Sequence, residues 1–527
     1  MPGRPLALAL AATLTLAQGV CASAAEHHAP TGHGPAGHLT LPVLPTIESV
    51  EVAPGVRLRT EVYKPAGPGR HPLIVMPGPF LYPVEAYLLQ AQRLARAGYV
   101  VVAYQPRGYL GSGGLCTWTG PADVADASAL TSWALAHTSA DPHRVGMAGV
   151  SYGAVISLQA AAEDPRIKAV ASMAGWVDLM DVLYGGGTRR LQNPAFQKVV
   201  ALVEARQDPG LDRALATYAR SPDPTPYFTQ WARERSPIAR LGKLNAHRPA
   251  VLMTASWLDV AQTPNRIADF FDGYTGPKRL EIRPGDHATK EVAGFTGLAT
   301  PPWESARHWF DHHLRNLPAD TAAVSPLVLQ PRNELLAQPQ NEEHYPAWSA
   351  ISSRTVTPPL TPVTGSRPTI LTALDSGADA GIQFGGITDE LIGLPPLAAT
   401  PLLPPGSAAV WSAPPADHAQ RVRGVPRLRT TLTPSTSEGT FYAYLYDVGP
   451  TGLGRLITHV PHSFHDRAPG RPFPVDVDFM ATAYDIPVGH RLQLVIDSRD
   501  PLYISRNPLL GSLTFDSSTT TLRVPLR

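Results

Sequence analysis

Arg144-Val-Gly-Met-Ala-Gly-Val-Ser-Tyr-Gly-Ala-Val-Ile-Ser-Leu-Gln-Ala-Ala-Ala162 decides how the rest of the chain is read. A short apolar run, Val145 to Ala148, stops at Gly149. Ser151 and Gly153 follow, and then a helix-forming run rich in Ala, Leu and Ile. G-x-S-x-G between a strand and a helix predicts a sharp, strained turn that lifts the serine hydroxyl above the carboxyl edge of a sheet. Gly149 and Gly153 have no Cβ, so strand and helix can approach closely on either side. The amide of Tyr152 then sits at a helix N-terminus, where it can donate to a developing oxyanion.

A serine hydroxyl is a weak nucleophile until a base takes its proton, and the base needs a carboxylate to hold its tautomer. Behind such a turn the order along the chain is Ser, then acid, then His. Asp259 closes Ser256-Trp-Leu-Asp259, directly after the apolar strand Ala250 to Thr254. Asp269 and Asp272 compete with it but fall in the next helical run. His287 lies in Arg283-Pro-Gly-Asp-His-Ala288, just past a strand ending at Ile282. His308, His312 and His313 sit within a helix beginning near Trp303, which belongs on a face of the sheet. Asp286 reads as a turn residue. A second oxyanion donor should come from the loop after the Leu73–Met76 strand, either a backbone amide near Phe80 or the phenol of Tyr82.

Outward from this core the chain alternates strands and helices. A hairpin around Ala53-Pro54-Gly55 leads to buried strands at His71–Pro77 and Tyr99–Ala103, a helix from Ala86 to Ala97 and another from Pro121 to His137. Ile167–Met173, Pro249–Thr254 and Lys278–Ile282 continue the strands, and a helix from Trp303 to Leu314 closes the region. This rhythm predicts an α/β, mostly parallel, doubly wound sheet over residues 46–319. The rhythm breaks at about 176–243, where helical runs such as Pro194–Arg206 and Leu211–Arg220 lack strands between them. That stretch is read as a helical cap. From residue 320 to 527 prolines multiply and short alternating runs appear, including Phe441–Val448, Val475–Met480, Arg491–Ile496 and Thr519–Val524. They predict a C-terminal all-β, jelly-roll-like sandwich.

The chain has 527 residues, 43% hydrophobic and 17% charged, with a net charge of +1. It can bury sizeable cores, and no basic stripe invites nucleic acid. The glycines of Gln105–Gly114 lack the Lys-Ser/Thr of a phosphate loop and fit no G-x-G-x-x-G frame, so nucleotide binding is rejected. Residues 1–24 read as an export signal: Arg4, an apolar core from Pro5 to Ala17, and the A-x-A site Ala22-Ser23-Ala24. Its apolar run is too short for a lasting membrane span. Residues 25–45, rich in His, Gly and Pro, read as a tether. Cleavage after Ala24 would leave Cys116 as the one cysteine, expected to be a packed hydrophobe. The expected location is periplasmic or secreted.

Asp141-Pro-His-Arg-Val-Gly-Met-Ala-Gly-Val-Ser-Tyr-Gly153, with Gln105-Pro-Arg-Gly upstream and Trp257-Leu-Asp259 downstream, resembles the X-prolyl dipeptidyl peptidase and cocaine esterase family of α/β-hydrolases. Ala443–Val448, Ile486–Leu492 and Ser505-Arg-Asn-Pro508 resemble that family's C-terminal jelly roll. The resemblance implies an acyl-enzyme serine hydrolase with Ser151, Asp259 and His287 as its triad, a helical cap and no metal. It departs where members often carry an Asn-Pro-Tyr-like turn. Here Pro77-Gly-Pro-Phe-Leu-Tyr82 displaces the phenol. The expectation is an exported enzyme that needs no cofactor and cleaves a small ester or amide. Esters are favoured over X-Pro dipeptides, because Asp178, Asp181, Glu204 and Glu234 of the cap form no paired cluster for an α-ammonium group. Phe80, Trp176, Trp231 and Trp257 are the candidate lining of an apolar acyl pocket. The alternative is an X-prolyl dipeptidyl aminopeptidase. A reading from another class is a catalytically silent binding protein on the same scaffold.

Overall fold

The computed structural model describes residues 43–80, 82–191, 205–259, 262–318, 325–332, 342–381 and 395–527. The export signal and nearly all of the tether, residues 1–42, lie outside them, as do most of the Pro194–Arg206 run and Glu204.

Among the described residues, eleven strands and ten α-helices build the first part of the chain. They run β1 (Thr46–Ala53), β2 (Val56–Tyr63), β3 (His71–Pro77), α1 (Leu88–Arg96), β4 (Val100–Tyr104), α2 (Pro121–His137), β5 (Ala140–Val150), α3 (Tyr152–Glu163) and β6 (Ile167–Met173). Then come α4 (Leu179–Tyr184), β7 (Arg189–Arg190), α5 (Pro209–Arg220), α6 (Pro226–Arg233), α7 (Leu241–His247), β8 (Ala250–Ser256) and α8 (Pro264–Gly273). The series ends with β9 (Lys278–Arg283), α9 (Thr289–Ala293), α10 (Pro301–Arg315), β10 (Leu327–Leu329) and β11 (Glu343–Tyr345).

Ten of these strands form one sheet in the order β1-β2-β4-β3-β5-β6-β8-β9-β10-β11. The pairs from β4 through β10 are parallel, and the hairpin at one edge and β11 at the other are antiparallel. The central strands are buried on both faces, which explains their continuous apolar runs. Within β3 the side chains alternate: Leu73 and Val75 enter one core with α2, α3 and the cap, while Ile74 and Met76 enter the other with α1 and α10. Helices therefore cover both faces, as the doubly wound reading requires.

The sheet does not stop at residue 319. β10 pairs in parallel with β9, and β11 pairs with β10, so the parallel sheet draws two edge strands from the segment read as sandwich. Beyond them lie an eight-stranded and a six-stranded sheet of antiparallel strands, packed around a core that includes Trp411, Phe441, Leu494 and Phe515. The predicted strands return as Gly439–Val448, Phe473–Asp478, Arg491–Asp497 and Thr521–Leu526.

One connection has no periodic signal in the sequence. β7, in the cap, pairs antiparallel with Tyr503–Ile504 of the β-domain. Leu191 N–H donates to the Leu502 carbonyl at 2.7 Å, and the Thr188 and Ser463 hydroxyls share a bond of 2.9 Å. Gly186 at φ +64° lies so close to Pro461 that a Cβ there would overlap its carbonyl oxygen. The cap is thus stitched to the sandwich by backbone bonds.

Candidate active site

Ser151 occupies the turn between β5 and α3 with φ 54° and ψ −112°, a conformation that non-glycine residues rarely adopt. Its surroundings impose it. Ser151 N–H donates to the Met173 carbonyl at the end of β6 at 2.8 Å. The Tyr87 hydroxyl accepts from Val150 N–H at 2.9 Å and donates to the Pro77 carbonyl at 3.1 Å. A Cβ on Gly149 would overlap the backbone of Gly153. Both glycines of the motif are therefore required sterically.

The loops carrying Asp259 and His287 leave the neighbouring strands β8 and β9, and they stay paired beyond the strand ends. Trp257 N–H donates to the Arg283 carbonyl at 3.0 Å, and Leu258 N–H to the Gly285 carbonyl at 3.2 Å. This continued zip brings the two side chains together. His287 Nδ1 lies 2.9 Å from Asp259 Oδ2 and 3.2 Å from Oδ1. A carboxylate only accepts, so Nδ1 carries the proton and Nε2 faces Ser151 Oγ as an acceptor at 2.8 Å. Burial pushes the His287 pKa down, but the charge and hydrogen bond of Asp259 outweigh it and hold the imidazole above its ordinary value. The arrangement can take a proton from Ser151 and hold it as imidazolium.

The rejected competitors stand elsewhere. Asp286 accepts from the amide of His287 at 2.7 Å within its own turn. Asp269 pairs with Arg266 on α8. His308, His312 and His313 lie on α10, away from the elbow. Cys116 is buried, and burial pushes its thiol up to about 12, which suits a packed side chain.

Tyr152 is the first residue of α3, so its N–H has no helical carbonyl to meet. Its phenol is committed elsewhere: it accepts from Thr119 N–H at 3.0 Å and donates to Asp123 at 3.3 Å. Tyr82 is half-buried, edge-on to Phe295 at 5.4 Å, and burial raises its phenol pKa. Among the described residues no group hydrogen-bonds that phenol.

Of the four candidate pocket residues, Phe80 alone keeps partial exposure, packed against Tyr109 and Tyr152. The three tryptophans are buried. Trp176 donates to the Arg235 carbonyl at 3.1 Å, and Trp257 to the Gln330 carbonyl at 2.8 Å. Trp231 lies edge-on to Trp118, with the Arg235 guanidinium 4.2 Å from its ring centre. These indoles are bound into packing.

Two groups at the site carry no sequence signal. Gln262 donates to Asp259 through its side chain at 2.8 Å and through its backbone at 3.2 Å. Glu291, buried on α9, accepts from the Thr254 hydroxyl of β8 at 2.6 Å and so ties the histidine loop to the strand that leads to Asp259.

Residues 54–289 match the family model of the X-Pro dipeptidyl-peptidase S15 family, and residues 312–524 match that of the X-Pro dipeptidyl-peptidase C-terminal non-catalytic domain. The chain belongs to the X-Pro dipeptidyl-peptidase (S15) family. As a member it is a serine hydrolase. Solved structures share the fold of this S15 chain over nearly its whole length. A CocE/NonD family hydrolase from Staphylococcus aureus is 13% identical, with TM-score 0.69, covering 91% of this chain and 93% of that one. An α-amino acid ester hydrolase is 14% identical, with TM-score 0.68, covering 95% and 100%. An aminopeptidase from a marine sediment archaeon (Thaumarchaeota archaeon) is 15% identical, with TM-score 0.67, covering 95% and 99%. At these identities the likeness concerns the fold alone. No curated protein matches the chain.

Proposed function

We propose that this S15-family hydrolase is an exported acyl esterase in which Ser151 is the nucleophile, His287 the general base and Asp259 the group that orients the imidazole. The observation that carries the reading is the unbroken series of bonds from Ser151 Oγ through His287 to Asp259. His287 Nε2 takes the Ser151 proton as Oγ attacks the acyl carbon. The oxyanion accepts from the Tyr152 amide, with Tyr82 as the second donor. The imidazolium then protonates the departing alcohol. Water, activated by the same histidine, releases the acid and restores Ser151. The substrate is a small ester, with the partly exposed Phe80 beside its acyl side. Export rests on the charged, apolar and A-x-A segments of residues 1–24.

Esters are preferred to X-Pro amides because Asp178, Asp181 and Glu234, the described candidates of the cap, are already engaged. Asp178 caps α4 and pairs with Arg266 at 2.5 Å. Asp181 is bonded to the Thr263 hydroxyl, and burial raises its pKa. Glu234 is bonded to Gln230 at the surface. A buried α-ammonium group without a carboxylate is costly. The deciding comparison is kcat/KM on a short-chain aryl ester, an X-Pro anilide, and the same anilide with its amine blocked. Efficient anilide turnover that disappears on blocking the amine would establish the peptidase instead.

A further inference from the structure

Among the described residues, the Asp259 carboxylate accepts from His287 Nδ1, from Gln262 Nε2 and from Gln262 N–H. Gln262 is 1% exposed, and among the described residues its Oε1 has no partner. The side chain thus leaves its own acceptor unsatisfied, at a cost, while its amide donors face the carboxylate. The reverse orientation would set two acceptors against each other. Three residues on, Asn265 in the first turn of α8 reaches out of the hydrolase domain. Its Nδ2 donates to the Phe479 carbonyl at 2.9 Å, and its Oδ1 accepts from Ala481 N–H at 2.6 Å. One side-chain amide therefore reads two backbone groups of the β-domain, as a neighbouring strand would. The segment it grips is itself fixed, since the Thr458 hydroxyl donates to the Met480 carbonyl at 2.7 Å. Between Gln262 and Asn265, Thr263 bonds Asp181 of the cap. The loop that carries Asp259 is held by all three parts of the molecule.

We propose that Gln262 is a positioning residue for Asp259, and that Asn265 makes the C-terminal β-domain part of the same support. This rests on the reading of Ser151, His287 and Asp259 as the catalytic triad. Gln262 fixes which carboxylate oxygen faces His287 Nδ1, and Asn265 fixes where the loop begins its turn into α8.

The test uses the full enzyme and an aryl ester. Asp259→Asn is the control, expected to be nearly inactive. Gln262→Leu keeps the volume and removes the side-chain donor. It is expected to lower kcat about 10- to 100-fold through misplacement of the acid, with KM within about twofold of wild type. Gln262→Glu adds a negative charge beside Asp259 and should move the acid limb of the kcat/KM–pH profile to higher pH, since that charge favours the imidazolium. That shift follows from the charge alone, so the role of the glutamine is read from kcat on the pH plateau: a purely structural glutamine would leave it at the wild-type value, and the near-isosteric variant carries the test if Gln262→Leu fails to fold. Asn265→Leu should lower kcat less, and the double variant with Gln262→Leu should be no worse than Gln262→Leu alone, because both act through one loop. Wild-type plateau kcat in both Gln262 variants, with Asp259→Asn inactive, would overturn the role of Gln262 and leave the triad standing. Multiplying effects of the two leucine variants would overturn the role of the β-domain. An active Asp259→Asn would remove the triad reading and this one with it.

Discussion

The carbonyl oxygen of Pro77 and the Cα of Gly153 stand so close that a Cβ on Gly153 would overlap that oxygen. The end of β3 and the start of α3 are thereby pressed together beside Ser151. Gly153→Ala is expected to displace one of them. The activity loss should be about 100-fold, with a stability loss of about 1–3 kcal/mol from overpacking. Ester turnover and chemical denaturation of the same preparation measure both.

Ser151→Ala should keep the fold and lose turnover by roughly 10⁴ to 10⁶. Relief of the positive φ is small for alanine, so the denaturation midpoint should hardly move. Retention of a tenth of the activity would remove Ser151 as the nucleophile. A fluorophosphonate probe should label wild type and leave this variant unmarked.

The raised His287 pKa fixes the direction of the pH profile. The base must be neutral, so kcat/KM should fall as pH drops through a value above the ordinary imidazole pKa of about 6.5. Asp259→Asn removes the charge that lifts it, so the acid limb of whatever activity remains should move to lower pH. A limb unchanged in that variant would assign the titration to another group.

Glu343 on β11 joins the hydrolase sheet to the sandwich. Its carboxylate accepts from Arg423 at 2.8 Å, from Arg421 and from Tyr345 at 2.6 Å. Burial tends to raise its pKa, but the hydrogen bonds of Arg423 and Tyr345 dominate and lower it from 4.5 to about 2. A depressed carboxyl stabilises the fold above its unfolded pKa, and that stability is lost as pH falls through the folded value. Glu343→Gln should therefore cost about 3 kcal/mol at pH 7. The gap from wild type should narrow between pH 4.5 and pH 2. Denaturant titrations at pH 7 and pH 3 test the sign.

The residues that the sequence displayed best are those whose role is imposed by the backbone. Gly149, Ser151 and Gly153 announce a turn because only that combination tolerates the contact between β5, β3 and α3. Asp259 and His287 were legible because each follows an apolar strand in the required order. The supports behind them were not. Gln262 and Asn265 act across 3 Å of space, and Asn265 meets residues more than two hundred positions away. Nothing in their own neighbourhood changes when that partner is present. The tryptophans are hard to read for a related reason: an indole after a strand suits a pocket wall and a packed core equally well, and the bonds of Trp176 and Trp257 to the carbonyls of Arg235 and Gln330 leave no mark in the sequence. β7 was hidden because two residues cannot display an alternation.

The pairing of β7 with Tyr503–Ile504 also sets an order of assembly. The cap cannot reach its final place until the chain has been made past residue 504, and the grip of Asn265 must wait for Ala481. Contacts between segments so distant in sequence form late and slowly. A nascent chain that has already presented the elbow therefore still lacks the frame around it. The hydrolase matures only when nearly all of its length has emerged, and a product cut short in its last thirty residues is expected to be a substrate for proteases before it is an enzyme.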